Sequence, residues 1–211
     1  LKDQAFDRNK HWEGIYQNKA LDEVGWHEPI PQVSLELIAR SGISKEMAII
    51  DIGGGDSLLT DHLLDMDYSD LTVLDISEKA IERARKRLGQ RAAKVKWIVS
   101  DITEFTPTRK YDLWHDRAAF HFLTDERDIG LYKQALVKGT SKNGKMILGT
   151  FSEQGPTKCS GIAIKQYSKR TLASRFNDSF VMTESLIQDH ITPFNTRQNY
   201  IFGTFNKKHN N

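Results

Sequence analysis

The residues of this chain most able to do chemistry are three aspartates that each stand at the end of a short apolar run. Asp51 opens DIGGGDS (51–57), Asp75 ends LTVLD (71–75) and Asp101 lies in SDIT (100–103). A glycine-rich turn directly after such a run lets the backbone come close to a ligand where a side chain would intrude, which makes Gly53, Gly54 and Gly55 a candidate cradle. A carboxylate some way further on accepts from both hydroxyls of a ribose, and Asp75 follows Asp51 by 24 residues. The chemistry implied is recognition of a nucleoside-containing ligand. A second polar group, His115-Asp116-Arg117, follows another apolar run. Here Asp116 or His115 is a candidate to orient or deprotonate a reacting partner, and an Asp116–Arg117 pair that only fixes the loop is the equal alternative.

These groups need elements to hold them. The run MAIIDI (47–52) reads as a buried parallel strand, and SLLTDHLLDM (57–66) as a helix with Leu59 and Leu63 on one face. LTVLD is the second strand. SEKAIERARKRL (77–88) is a helix with Ser77 as N-cap and Ala80, Ile81, Ala84 and Leu88 toward the sheet. VKWIVSD (95–101), YDLWHD (111–116) and GKMILGTF (144–151) supply three more strands, with a helix over 126–138. FVMTESLIQ (180–188) and QNYIFGTF (198–205) form an antiparallel hairpin around Pro193 and Asn195. The fold expected is α/β: a doubly wound, Rossmann-like, seven-stranded, mostly parallel sheet ending in that hairpin. In such sheets ligands sit at the carboxyl ends of the strands, where the three aspartates stand.

Strands, glycine turn and strand-end acids together resemble the class I S-adenosylmethionine-dependent methyltransferases, over residues 11–205. The segment W-H-D-R with its following small pair most resembles the small-molecule branch that includes thiopurine, thiol and tellurite methyltransferases. The stretch 53–77 is instead similar to protein lysine methyltransferases, which carry Asn-Ser where this chain has Asp56-Ser57. The resemblance implies S-adenosylmethionine as cofactor, S-adenosylhomocysteine as product and no metal. It places Gly53 and Gly55 along the cofactor's methionine part, Asp75 on the ribose and Ile76 against the adenine, with Asp51 accepting from the turn amides or from the cofactor's ammonium group, directly or through water. Asp101 would accept from the adenine amine, Ile102 cover the ring, and His115 reach the sulfonium region. The aromatic segment 11–29 carries Trp12, Tyr16 and Trp26: Trp12 would close over the cofactor and Trp26 shape the acceptor pocket, with packing of a helix on the sheet as the alternative. The loop 151–167 would overhang the acceptor, with Lys158, Cys159 and Tyr167 as candidate contacts. His121 is expected to pack between Phe120 and Phe122.

The principal rival is a nicotinamide dinucleotide enzyme. Leu58 stands where its fingerprint has a third glycine or alanine, and Asp56 would repel a diphosphate at the helix start. The layout expected is an arm or lid over 1–30, one methyltransferase domain over 31–206 and a frayed tail at 207–211. With 38% hydrophobic and 27% charged residues and no long apolar run, the composition is that of a soluble globular chain rather than a membrane-spanning one. A single cysteine, Cys159, suits the cytoplasm. Net charge is +2 and well mixed, which gives no basic tract for nucleic acid. The densest basic stretch, Arg83, Arg85, Lys86 and Arg87, is expected on a solvated helix face, with Glu82 and Lys86 as an i, i+4 pair. The function expected is methyl transfer to a small molecule, with sulfur or another heteroatom favoured. The alternatives are methylation of a protein lysine and a catalytically silent cofactor-binding module that regulates a partner.

Overall fold

The computed structural model describes residues 6–209. Two helices come first, α1 (Arg8–Asn18) and α2 (Gln32–Arg40). The alternating part follows: β1 (Ile49–Ile52), α3 (Leu59–Asp65), β2 (Leu71–Asp75), α4 (Glu78–Leu88), β3 (Val95–Val99), β4 (Tyr111–Arg117), α5 (Glu126–Gly139) and β5 (Thr140–Phe151). After it come a two-residue-stranded hairpin, β6 (Lys158–Cys159) and β7 (Ile162–Ala163), then α6 (Lys169–Phe176), β8 (Phe180–Ile191) and β9 (Arg197–Lys207).

Seven strands form one sheet in the order β3-β2-β1-β4-β5-β9-β8. β1, β2, β3, β4 and β5 run parallel, and β9 is antiparallel to both β5 and β8. The strand order therefore reverses between β1 and β4, and the crevice expected in open α/β sheets opens at their carboxyl ends. The central strands are apolar because both faces are covered, with Ile49, Ile50, Leu113, Trp114, Ile147 and Leu148 at 1% exposure or less. One core layer gathers Trp114, Tyr132, Phe120, Phe176 and Phe205; the other gathers Ile38, Leu59, Val73, Phe151 and Tyr200.

The seven-stranded architecture agrees with the sequence pattern, while several bounds move. β1 starts at Ile49 rather than Met47, which is 40% exposed. α2 and α6 lie in stretches the sequence reading left without an element, yet each has a buried apolar stripe: Leu37 and Ile38 in α2, Leu172 and Phe176 in α6. Lys207, the first residue of the expected tail, belongs to β9, and its ammonium donates to the Val137 and Thr140 carbonyls at 2.7 Å each. The remainder of that tail at residues 210–211, and residues 1–5 of the expected arm, lie outside the described residues.

Candidate functional site

In-register pairing sets the strand ends level: Asp51 lies opposite His115, Ile52 opposite Asp116, and Asp75 opposite Val99. Above them opens a cleft of about 740 Å³ lined by Gly53, Asp75, Ile76, Asp101 and Ile102. Its other walls are Arg8, Trp12 and Tyr16 from α1, Trp26, and Arg117 and Phe122 from the β4 end. A second cavity of about 540 Å³ lies behind the glycine turn, lined by Asp51, Gly54, Ser34 and His115. Tyr16, Trp26, Gly53 and Arg117 line both, so the two spaces adjoin.

The glycine turn is required by the protein's own packing. Gly53 and Gly55 take φ of +65° and +38°, a region costly for residues with a Cβ. A Cβ on Gly53 would stand 2.6 Å from that of Ala119, and one on Gly55 2.6 Å from Asp75 Oδ2. A Cβ on Gly54 would collide with the Asp51 carboxylate. The reason for glycine is thus crowding by the β4 loop and two aspartates, and the cradle forms as a result. Asp51 itself, 5% exposed, accepts from His115 Nδ1 at 2.6 Å, and His115 Nε2 meets Ser34 Oγ at 2.9 Å.

Asp75 is 3% exposed. Oδ1 accepts from the Ser77 amide at 2.8 Å, while Oδ2 turns toward Gly55. Burial, with smaller contributions from the charges of Asp51 and Glu13, lifts its carboxyl to about 7 against the pull of the Ser77 N–H. Asp101 Oδ1 accepts from the amide and hydroxyl of Thr103, at 2.8 Å each, and Oδ2 pairs with Arg8 Nε at 3.0 Å. The acid expected to face an adenine amine therefore also holds α1.

α1 is docked as a roof. Asp7 caps it by accepting from Lys10 N, Asn9 donates to the Ile76 carbonyl at 2.7 Å, and the Glu13 carboxylate accepts the Glu78 amide at the start of α4. Trp12 meets Phe122 and Trp26 edge-on, with ring centres 4.9 and 5.7 Å apart. The basic stretch of α4 divides: Arg85 and Lys86 are exposed as expected, whereas Arg83 donates to the Tyr16 and Lys19 carbonyls and pairs with Asp56, and Arg87 bridges Asp56 and Asp61. The expected Glu82–Lys86 pair is replaced by Lys79–Glu82 at 2.7 Å. Asp56, 4% exposed, is thereby compensated by two guanidinium groups.

On the acceptor side the geometry separates the candidates. Asp116 is fully buried, and its carboxylate is consumed. Oδ1 accepts from the Ala119 and Phe120 amides at 3.0 and 3.2 Å, and Oδ2 from the Tyr132 hydroxyl at 2.8 Å. The chain can fold back this way because Ala118 takes φ +70°. Burial raises Asp116 to about 6. It is a loop anchor, although not through the expected pair: Arg117 turns instead to Glu28, Nη2 to Oε1 3.0 Å, and donates to the Trp26 carbonyl at 2.9 Å. His115 likewise has both ring nitrogens engaged. Cys159 reaches the cleft, with its thiol pushed up by burial. Tyr167 does not: it is 1% exposed and packs on Phe120 in the core. Lys158 is exposed on β6. His121 is buried between Phe122 and Phe151 rather than Phe120 and Phe122, and burial lowers it to about 3. Arg8, Ser34, Glu28 and Phe122 are site residues to which the sequence reading gave no place in the site. For Ser34 the signal was available: its spacing from Leu37 and Ile38 marks the buried face of a helix.

Residues 49–137 match the family described as "Methyltransferase domain". The structure resembles a protein solved in a study of the conversion of a disulfide bond into a thioacetal group during echinomycin biosynthesis. That likeness has a TM-score of 0.77 at 18% identity and covers 96% of this chain and 94% of that one. It also resembles the N-methyltransferase NodS from Bradyrhizobium japonicum WM9 in complex with S-adenosyl-L-homocysteine, with a TM-score of 0.73 at 18% identity, covering 95% and 99%. The chain thus shares the α/β fold of these proteins, and its strand-turn-helix core matches the methyltransferase domain family. Among curated relatives, malonyl-[acyl-carrier protein] O-methyltransferase 1 of Ilyobacter polytropus is 27% identical over 54% of this chain and 41% of its own length. The chain thus spans less than half the length of that relative. Among the described residues no helix is long and apolar enough to cross a membrane, and no group of three or more His, Cys, Asp or Glu is disposed to hold a metal.

Proposed function

We propose that this chain is an enzyme that binds S-adenosylmethionine across the two adjoining cavities and transfers its methyl group to a small-molecule acceptor. The observation that carries this reading is Asp75: a buried carboxylate at a strand end, one oxygen held by a backbone amide and the other turned to the glycine turn, in a cleft whose walls include Ile76 and Ile102. A ribose diol beside a flat apolar base matches that combination of acid and walls. In this reading Asp75 takes the ribose, Ile76 and Ile102 flank the adenine with Asp101 at its edge, and Asp51 with the glycine turn receives the amino-acid end. The described part of the arm, residues 6–30, acts as the lid and 31–206 as the methyltransferase domain.

When bound, the cofactor supplies a methyl group already activated on a sulfonium. The chain's task is to align the acceptor with it and exclude water. Trp12, Trp26 and Phe122 do the second, and Arg117, common to both cavities, faces the junction. Asp116 and His115 are each occupied by protein partners, so no side chain at the β4 end is free to take a proton from the acceptor. An acceptor that is nucleophilic without a strong base, a thiolate above all, suits this arrangement, which favours sulfur among the heteroatoms. The roof of α1 and the β6–β7 hairpin over the cleft favours a small molecule over a protein lysine.

Calorimetric titration with S-adenosylmethionine, S-adenosylhomocysteine and NAD tests the cofactor. Binding of the first two and not of NAD is expected; binding of NAD alone would overturn the proposal. A panel of thiols, amines and carboxylates then tests the acceptor, with turnover expected first among thiols.

A further inference from the structure

Ser34, His115 and Asp51 form a chain of hydrogen bonds closed off from solvent. Their exposures are 1%, 2% and 5%. Asp51 Oδ1 and His115 Nδ1 are 2.6 Å apart, and His115 Nε2 and Ser34 Oγ 2.9 Å. All three line the second cavity, whereas Asp75 lines the first. An ionised carboxylate only accepts, so Nδ1 carries the proton that faces Asp51. Nε2 meets the Ser34 hydroxyl, so both ring nitrogens are held and the ring plane is fixed.

The connectivity is that of a hydrolytic Ser-His-Asp triad, but the surroundings are not. The nearby Gly53 and Gly54 amides both donate to the Leu74 carbonyl, which leaves neither to stabilise an oxyanion. The direction of the chain instead runs toward Asp51. His115 occupies Oδ1 and fixes the carboxylate plane, leaving Oδ2 beside Gly54 at the turn.

Building on the cofactor reading above, we propose that His115 and Ser34 are positioning residues: they orient Asp51 to receive the α-amino group of the cofactor's methionine part, and neither acts on the methyl acceptor. The relay therefore sets affinity for ligands that possess the amino-acid end and is indifferent to ligands that lack it. Two probes separate these cases. S-Adenosylhomocysteine carries the amino acid; 5′-methylthioadenosine has the same adenosine and thioether without it.

The test is calorimetric titration of both probes into wild type, His115→Phe, His115→Asn and Ser34→Ala, with thermal melts of each variant. The loss of a hydrogen bond to a charged group predicts that His115→Phe weakens S-adenosylhomocysteine about ten- to a hundredfold. Its affinity for 5′-methylthioadenosine is expected to stay within about twofold, as the adenosine contacts are untouched. Asn supplies an N–H near the position of Nδ1, so His115→Asn should regain part of the loss. Ser34→Ala, a milder change that keeps the ring, should weaken S-adenosylhomocysteine about threefold and give the result independently if His115→Phe fails to fold. Equal weakening of both probes in the folded variants would overturn the positioning role while leaving the cofactor reading intact. Failure of wild type to bind either probe would remove both.

Discussion

Two buried aspartates at the same edge of the sheet have opposite roles. Asp75 ends β2 and Asp116 stands near the end of β4, both at 3% exposure or less, and burial raises both, to about 7 and about 6. Asp116 is met by two backbone amides and the Tyr132 hydroxyl, so its raised value records the desolvation of an acid whose partners are all supplied by the protein. Asp75 has the Ser77 amide on one oxygen and a cleft on its other side. A strand-end acid is therefore not a site by position alone. What decides is whether the following loop turns back to take up its lone pairs, as 118–120 does, or leaves them to a ligand.

The comparison can be broken most sharply by substitution. Removing two charge-assisted hydrogen bonds to a ribose, Asp75→Asn should weaken S-adenosylhomocysteine by about a hundredfold or more, with the melting curve still cooperative. Asp116→Ala should instead lower stability by about 3 kcal/mol, since it strands two amides and a hydroxyl, as read by denaturant unfolding. Tyr132→Phe removes one of those bonds and should cost about 1 kcal/mol with cofactor affinity unchanged.

Acidity sharpens the same contrast. In the unliganded protein Asp75 keeps its proton up to about pH 7, whereas an unfolded aspartate loses it near about pH 4. Between those values the folded state binds more protons, so stability falls as pH rises from about 4 to about 7 and stays lowered above. Asp75→Asn removes that cost and should raise the melting temperature at pH 8, but not at pH 4. Ribose recognition requires the ionised form, so wild-type affinity for S-adenosylhomocysteine should drop by up to about tenfold per pH unit below about 7, a slope absent from Asp75→Asn. The smallest effect is expected at the roof. Arg8→Ala breaks a partly exposed pair with Asp101 and should change affinity only about two- to threefold.

The sequence disclosed the acids, the glycine turn and the sheet order because each is written in local pattern: apolar runs, a turn at their ends, alternation with helices. It did not disclose that Asp116 is spent. That depends on Tyr132, sixteen residues away, and on a left-handed Ala118. Nor did it disclose that Arg83 and Arg87 turn onto Asp56, a contact between α4 and the glycine turn that no spacing rule within one helix records. Arg8 and Ser34 enter the site from stretches in which the sequence pattern marked no element, and only the packing of α1 and α2 brings them there. Tyr167, in a loop of the right place and composition, is drawn into the core by Phe120 and leaves Cys159 to face the cleft.

The most direct test of the cofactor site is titration of S-adenosylhomocysteine at pH 8 into wild type, Asp75→Asn and Asp116→Asn, each confirmed folded. Binding by wild type and Asp116→Asn with loss in Asp75→Asn is the result expected. Undiminished binding by Asp75→Asn would contradict the placement of the ribose, and with it the account of the cleft.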